Sequence, residues 1–431
     1  MKARKERDNG TLTLLSLAHL KVFLHVIETG SASLAAKQVF KAQSAVSRAL
    51  NELEHMLGAP LFERTPSGML PTASGRCVAE RAQRVFNELQ TLTRLLIPKA
   101  QAGPAQATLG VASCLLNTRR LEIFVGLARD RHMPTTARAF DVSQPAISIA
   151  IRALESGAGS PLFYRSGRGL SLTANGDTCA LYVQRALNEL RRIPEDLAAL
   201  HGTVLGVVHV GALPLGRAFA LPEAIARLSR EHPGIMIVTD ESAYELLCAK
   251  LRSGDIDFIL GALREPAADS GLVVESLWIE DMVVLARRGH PLAAKASLKL
   301  SQTTGEQWIL PRVHAPARRI LERLFAAKGL DIPPAAVETA DLAIIRGVLT
   351  RSNMLAALSA HQLGHEIESG DIVRLALHLP RTERKIGLTL RADSVPAPAV
   401  RLLLETIRAV VADMREDEAG RTIEPLDEEA Q

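Results

Sequence analysis

The chain has 431 residues, of which 47% are hydrophobic and 23% charged, a balance that suits about three packed domains and excludes a disordered or collagen-like chain. No stretch approaches the roughly eighteen apolar residues of a membrane-spanning helix, and four scattered cysteines, Cys77, Cys114, Cys179 and Cys248, with no Cys-x-x-Cys pair, argue against a disulfide framework or a zinc site and for reduced thiols. The net charge of +4 hides an asymmetry: residues 1–202 hold 25 Lys or Arg against 16 Asp or Glu, net +9, and the rest hold 26 against 31, net −5, so a polyanionic partner is expected only at the N-terminal part.

Residues 1–16 are expected to form a flexible basic arm. Lys2, Arg4, Lys5 and Arg7 ahead of an apolar run mimic a secretory signal, but His19, Lys21 and His25 interrupt the run and no small-residue cleavage site follows. A cytoplasmic protein is therefore expected. Leu17 to Ile27 is apolar-periodic, Gly30-Ser31 breaks it, and an Ala-rich segment from Leu34 to Val39 leads to a third helix carrying Gln43. On that helix Gln43, Ser44, Ser47 and Arg48 share the outward face, while Val46, Leu50 and Leu53 point inward. Short polar groups and one Arg at a helix start suit the DNA major groove, where Gln can read adenine and Arg guanine. Leu61 to Thr65 and Met69 to Thr72 flank Pro66-Ser67-Gly68, a wing-like hairpin that would hold Arg64 against phosphate. From Ala73 to Ile97 a helix is expected, with Val78, Ala82, Val85, Leu89, Leu92 and Leu96 as a coiled-coil seam.

After a linker at 98–114, rich in Ala, Gly and Pro, the whole pattern returns at 115–202. Adding 101 to each number maps Phe23 to Phe124, Gln43 to Gln144, Ser47 to Ser148, Leu61-Phe62 to Leu162-Phe163, Arg64 to Arg165, Gly68 to Gly169 and Gly75 to Gly176 without a gap. This is an internal duplication. The second seam runs through Cys179, Val183, Ala186, Leu190, Ile193 and Leu197, and Pro194 is expected to kink or interrupt its helix. Two such stripes must pair, and pairing within one chain is preferred to pairing between chains.

Taken together, the Ala-rich helix, Ser143-Gln144-Pro145-Ala146-Ile147-Ser148, Leu-Phe-x-Arg at both wings and Gly169-Leu170-Ser171-Leu172-Thr173-Ala174-Asn175-Gly176 resemble the DNA-binding half of LysR-type transcriptional regulators. The duplication departs from that family, whose members usually carry one such unit. The resemblance implies DNA contacts at Ser33, Gln43, Ser44, Ser47, Arg48 and Arg64 in the first copy. In the second it implies Thr135, Ser143, Gln144, Pro145, Ser148, Arg152, Arg165 and Arg168. Ile149 stands where the first copy has Arg48, so the first unit is expected to contribute more base contact.

From residue 203 strands and helices alternate: strands at 204–210, 235–240, 257–262, 278–286, 307–310, 336–339, 354–359 and 386–390, with helices between, imply a parallel sheet covered on its faces. Leu213-Pro214-Leu215-Gly216, Glu231-His232-Pro233-Gly234, Leu251 to Asp257 and Arg288 to Leu292 resemble the effector-binding half of the same family, similar to type 2 periplasmic binding proteins and closest to the subgroup of sugar-binding and aromatic-catabolism regulators. The expected architecture is thus two all-α-type winged helix-turn-helix units with linker helices, then an α/β two-lobed domain at 203–414. Lobe I is expected at about 203–286 and 366–414, and lobe II at 287–365. Seven acidic residues against two Arg at 415–431 read as a solvated tail.

An effector is expected at the carboxyl ends of the strands, near Leu213, Pro214, Leu215, Glu241, Ser242 and Gly261, with Arg312 and His314 reaching from lobe II. Asp255 and Asp257 read instead as setting a strand start. The implied partners are promoter DNA, a sugar, sugar acid or aromatic acid, RNA polymerase and further copies of the chain, with no cofactor or metal. Ligand-driven lobe closure would change how the DNA units are held. Two rivals are weaker. An enzyme lacks any nucleophile elbow, Walker loop or dinucleotide fingerprint, and His361 with His365 has no third metal ligand; a transport solute-binding protein would need an export signal and no basic units.

Overall fold

The computed structural model describes residues 14–66, 68–96, 109–166, 169–268 and 270–422. Most of the basic arm, Ser67 of the first wing tip, most of the 98–114 linker, Arg168 and the end of the acidic tail lie outside these residues, as does the side chain of Arg165. The chain forms two compact units that divide near Gly206.

In the first unit α1 (Leu17–Thr29), α2 (Ala32–Gln38), α3 (Gln43–Leu57), the hairpin β1 (Phe62–Thr65) and β2 (Gly68–Pro71), and α4 (Ala73–Leu96) are followed by a second set. That set is α5 (Thr118–Asp130), α6 (Met133–Ala139), α7 (Gln144–Ala158), β3 (Phe163–Ser166), β4 (Gly169–Leu172) and α8 (Ala174–Leu200). Every element of the second set starts 101 residues after its counterpart. The repetition reaches individual bonds. Glu54 Oε1 accepts from the Leu61 and Phe62 N–H groups at 2.7 and 3.4 Å, and Glu155 Oε1 does the same for Leu162 and Phe163 at 2.9 and 3.4 Å. Each recognition-type helix is thereby tied to its own wing. Thr72 and Thr173 both cap the following helix, accepting from Gly75 and Gly176 at 2.9 Å. Those glycines are needed for space: a Cβ on either would stand 2.1 or 2.0 Å from the carbonyl oxygen of Leu61 or Leu162.

The two stripes meet within one chain. Ser74 lies 3.5 Å from His201, Arg81 binds Asp196 and Glu189, and Glu88 lies 3.8 Å from Arg185, an order of contacts that makes α4 and α8 antiparallel. Val78, Ala82, Val85, Leu89 and Leu92 of α4 and Cys179, Val183, Ala186, Leu190, Ile193 and Leu197 of α8 are buried in one core that also takes in both three-helix sets. A buried side chain of this size contributes about 1.5–3 kcal/mol, so each copy depends on the other to cover its stripe. Of the two outcomes expected at Pro194, interruption does not occur, since α8 runs through it. The buried Ile193 and Leu197 on either side of it, and the Asp196 bond to Arg81, hold the turn despite the missing N–H.

The second unit contains β5 (Gly206–Ala212), α9 (Ala220–Glu231), β6 (Ile235–Asp240), α10 (Tyr244–Ser253), β7 (Phe258–Ala262), β8 (Leu272–Glu280), β9 (Val283–Arg287), β10 (Trp308–Leu310) and α11 (Pro316–Ala326). It continues with β11 (Ala335–Glu338), α12 (Leu342–Leu349), β12 (Leu355–Leu358), α13 (Gly364–Glu368), β13 (Ile372–Arg374), β14 (Arg384–Arg391) and α14 (Pro398–Thr422). Two five-stranded sheets result, ordered β6-β5-β7-β14-β8 and β11-β10-β12-β9-β13. Three expectations are corrected. The single strand at 278–286 is two strands in different sheets, because β8 pairs with β14 while β9 pairs with β12 and β13. The lobe limits expected at 286 and 366 accordingly move to Asp281-Met282 and to the residues just before Arg384, which puts β9 and β13 in lobe II. The sheets are mixed, since β14 runs antiparallel to β7 and β8 whereas β5 and β7 are parallel.

Candidate nucleic-acid interface

Helix α2 can lie close under α3 because its contact residues are Ala35 and Ala36, both buried. On α3 the apolar side turns inward through Val46, Ala49, Leu50 and Leu53, leaving Gln43, Ser44 and Arg48 exposed and Ser47 half-buried. The hairpin then folds back toward the first turn, where the Met69 N–H donates to the Gly30 carbonyl at 2.8 Å. Ser33, Gln43, Ser47 and Arg64 consequently line one groove of about 300 Å³ between α3 and the wing, together with Asn51 and Ser31. Asn51 was missed by sequence reasoning, although it stands one turn beyond Ser47 on the same face. Glu54 also borders the groove, but its carboxylate is engaged by the backbone of the wing. On α1, Lys21 has its pKa pulled down by burial and by the charge of Lys41. An anion held near Lys21 would offset that repulsion.

The second copy presents the same shape with different chemistry. Ser143 caps α7, accepting from the Ala146 N–H, and Pro145 removes one first-turn donor. Gln144, Pro145 and Arg152 are exposed and Ser148 half-buried, with Ile149 62% exposed where Arg48 stands in the first copy. Thr135 is exposed, its Oγ1 2.8 Å from His132 Nδ1. An open hollow lined by Pro134, Arg138, Asp141, Ser143 and Gln144 lies at the helix start. The lysine pair of the first copy is absent: Glu122 occupies the position of Lys21, its pKa raised by burial against the pull of Arg119, and Val142 that of Lys41.

In the second unit Leu213 and Gly261 meet at the carboxyl ends of β5 and β7. The Leu213 N–H donates to the Leu260 carbonyl at 3.0 Å, and a Cβ on Gly261 (φ 151°) would stand 2.4 Å from that of Leu213. Pro214 is half-buried and Leu215 buried; Glu241 is exposed, and the Ser242 N–H is taken by Asp240 at 2.9 Å. Arg312 and His314 are exposed on the loop ahead of α11. Asp257 is structural, as its Oδ2 accepts from the His209 N–H at 2.8 Å and ties β7 to β5. The polar groups that sequence reasoning missed sit where the chain crosses between lobes. Trp278 Nε1 donates to Glu280 at 2.7 Å, His361 Nδ1 of lobe II lies 3.3 Å from the same carboxylate, and the Phe219 and His361 rings are 6.2 Å apart. Close by, burial lowers the pKa of Arg384 against the pull of Glu280 and Asp281, and its Nε and Nη2 have no hydrogen-bond partner among the described residues.

Compared with known proteins, the pattern described as "Bacterial regulatory helix-turn-helix protein, lysR family" matches twice, at residues 17–76 and 118–177, and "LysR substrate binding domain" matches residues 201–412. The chain belongs to the LysR family. It is a LysR-family transcriptional regulator with helix-turn-helix DNA-binding units and an effector-binding domain, and not an enzyme. Among its LysR relatives, the HTH-type transcriptional regulator GalR of Pseudomonas putida is 49% identical over 93% of this chain and 98% of that protein. The regulator PcaQ of Agrobacterium fabrum is 28% identical over 70% of this chain and 97% of its own. A single-residue variant of full-length OxyR from Pseudomonas aeruginosa superposes with a TM-score of 0.53 at 26% identity, covering 68% of this chain and 94% of that one. The two helix-turn-helix matches are themselves 101 residues apart, the displacement of every helix and strand in the LysR reading units.

Proposed function

We propose that both helix-turn-helix units contact promoter DNA, the first making more of the base contacts, and that a carboxylate-bearing small molecule in the two-lobed domain controls them. The observation that carries the DNA assignment is the single groove in which Ser33, Gln43, Ser47 and Arg64 converge. Side chains of two reading elements there flank one open space of the polarity that base edges and phosphates require. Arg48 and the Lys21-Lys41 pair favour the first copy, whereas the second keeps Gln144, Ser148, Arg152, Arg165 and Arg168. Arg48→Ala tests the ranking: operator affinity is expected to fall by about 1–3 kcal/mol with relaxed sequence preference, and an unchanged affinity and preference would refute it. Steep loss of binding with salt is expected from the phosphate contacts.

An acid is favoured over a neutral sugar by Arg384 Nε and Nη2 at the lobe crossing, buried donors with no hydrogen-bond partner among the described residues, since a buried donor left unbonded is costly. Sugar acids and aromatic acids are therefore the first ligands to screen by thermal shift, beside neutral sugars as controls. Lobe closure on such an acid would shift the population of DNA-binding states, with RNA polymerase as a further partner and the chain acting as a homo-oligomer in the cytoplasm. Among the described residues no helix is long and apolar enough to cross a membrane.

A further inference from the structure

The two reading units of this chain are paired as a dimer is paired, but the pairing surface is unlike on its two sides. Leu17 and Thr118 occupy equivalent positions 101 residues apart, and the Leu17 N–H donates to Thr118 Oγ1 at 3.0 Å. Contact between equivalent positions marks an approximate two-fold axis, which the antiparallel α4 and α8 share. Near that axis Arg81, 4% exposed, donates from Nε and Nη2 to Asp196 at 2.7 and 3.0 Å and from Nη1 to Glu189 at 2.7 Å. The mirror set does not exist: the counterpart of Arg81 is Tyr182, and those of Glu189 and Asp196 are Glu88 and Leu95.

We propose that one chain is by itself a complete two-headed reader of an operator with two unlike half-sites, and that the Arg81-Glu189-Asp196 cluster makes α4 select α8. The proposal rests on the reading that both units contact DNA. Pairing α8 with a second α8 would set Tyr182 against Glu189 and Asp196 on both sides, stranding carboxylates without a cation. Pairing α4 with α4 would offer each Arg81 a Glu and a Leu in place of two carboxylates. Like pairing thus fails as a set, and unlike pairing gives Arg81 both of its carboxylates. The reading faces carry the same asymmetry to the DNA. Gln43 and Ser47 recur as Gln144 and Ser148, whereas Ser44, Arg48 and Asn51 become Pro145, Ile149 and Arg152. Two half-sites with a common centre and different flanks are the complement of such a pair, centred roughly one helical turn apart.

The test is selection of duplexes from a randomised pool by the full chain. The expected product is a bipartite motif whose halves differ, and replacing one half by an inverted copy of the other is expected to weaken binding on the order of tenfold or more. The variant Pro145→Ser, Ile149→Arg, Arg152→Asn, which gives α7 the face of α3, is expected to select an inverted repeat. A symmetric repeat or a lone half-site selected by the unaltered chain would overturn the proposal. No enrichment by either protein would instead strike at the DNA reading itself. Pairing is read separately by oxidising the Glu88→Cys, Arg185→Cys chain, whose native side chains are 3.8 Å apart. A crosslinked species of single-chain mass is expected, and one of double mass would overturn the one-chain reader.

Discussion

Replacing Arg81 by Met measures how strongly the two copies depend on each other. Arg81 and Glu189 are each 4% exposed, and the guanidinium serves both Glu189 and Asp196. Burial works against its charge, and the hydrogen bonds to the two carboxylates outweigh burial, so its pKa lies above the ordinary value. Met keeps most of the aliphatic volume, so little packing is lost and the main effect is electrostatic. A nearly inaccessible carboxylate loses its cation, which costs about 3–5 kcal/mol when one partner of a buried pair is removed. At about 1–3 kcal/mol per molar urea, the midpoint for the first unit should fall by roughly one molar or more. The assay separates the units without further labelling, because both tryptophans, Trp278 and Trp308, lie in the effector domain. Circular dichroism should show an earlier transition for Arg81→Met, while the tryptophan fluorescence transition stays in place. Removing the carboxylates as well, by Arg81→Met with Glu189→Met and Asp196→Leu, should restore most of the stability, since an apolar cluster can replace a buried ionic one. A single variant as stable as the parent, or a triple variant no better than the single, would refute the reasoning.

Further outcomes follow from the repeated bonds and from one acid pair. Glu54→Ala removes the acceptor for the Leu61 and Phe62 N–H groups, and about 1.5–3 kcal/mol of stability should be lost in urea titration. Operator affinity should fall with it, as the wing loses its tie to α3. Gly75→Ala sets a Cβ 2.1 Å from a backbone oxygen, which cannot yield as a side-chain tip would. A loss of about 1–3 kcal/mol is expected, with Gly176→Ala behaving alike, and a neutral result would mean that α4 approaches the wing less closely. In the effector domain the Asp240 carboxyl is held down to about 2, from 3.8, chiefly by the Lys250 ammonium and then by Ser242. Its folded value lies below the unfolded one, so its stabilising contribution is in place above about pH 4 and is lost as the pH falls through about 2. Asp240→Asn should therefore be less stable than the parent at neutral pH, and the two stability curves should converge near pH 2; a constant gap would count against the pair.

The duplicated reading units were legible in the sequence because what defines them is local. A helix face is set by spacings of three and four residues, and a wing by a Gly between short apolar runs. Gln43, Ser47 and Arg64 could therefore be named as a group, and the structure brings them to one groove. The two seams could also be read, as stripes that must be covered. Which seam covers which, and with what charge, was decided only by tertiary structure. Arg81 on a helix with an apolar stripe reads as a solvated side chain, and its burial follows from Glu189 and Asp196, more than a hundred residues away. The same holds where 278–286 divides between two sheets. An apolar run specifies a strand, but its hydrogen-bonding neighbours, Arg384 to Ile386 for one half and Ala356 to Leu358 for the other, come from distant chain. Periodicity reports which side of an element turns inward, whereas the identity of the partner depends on contacts that no local window contains.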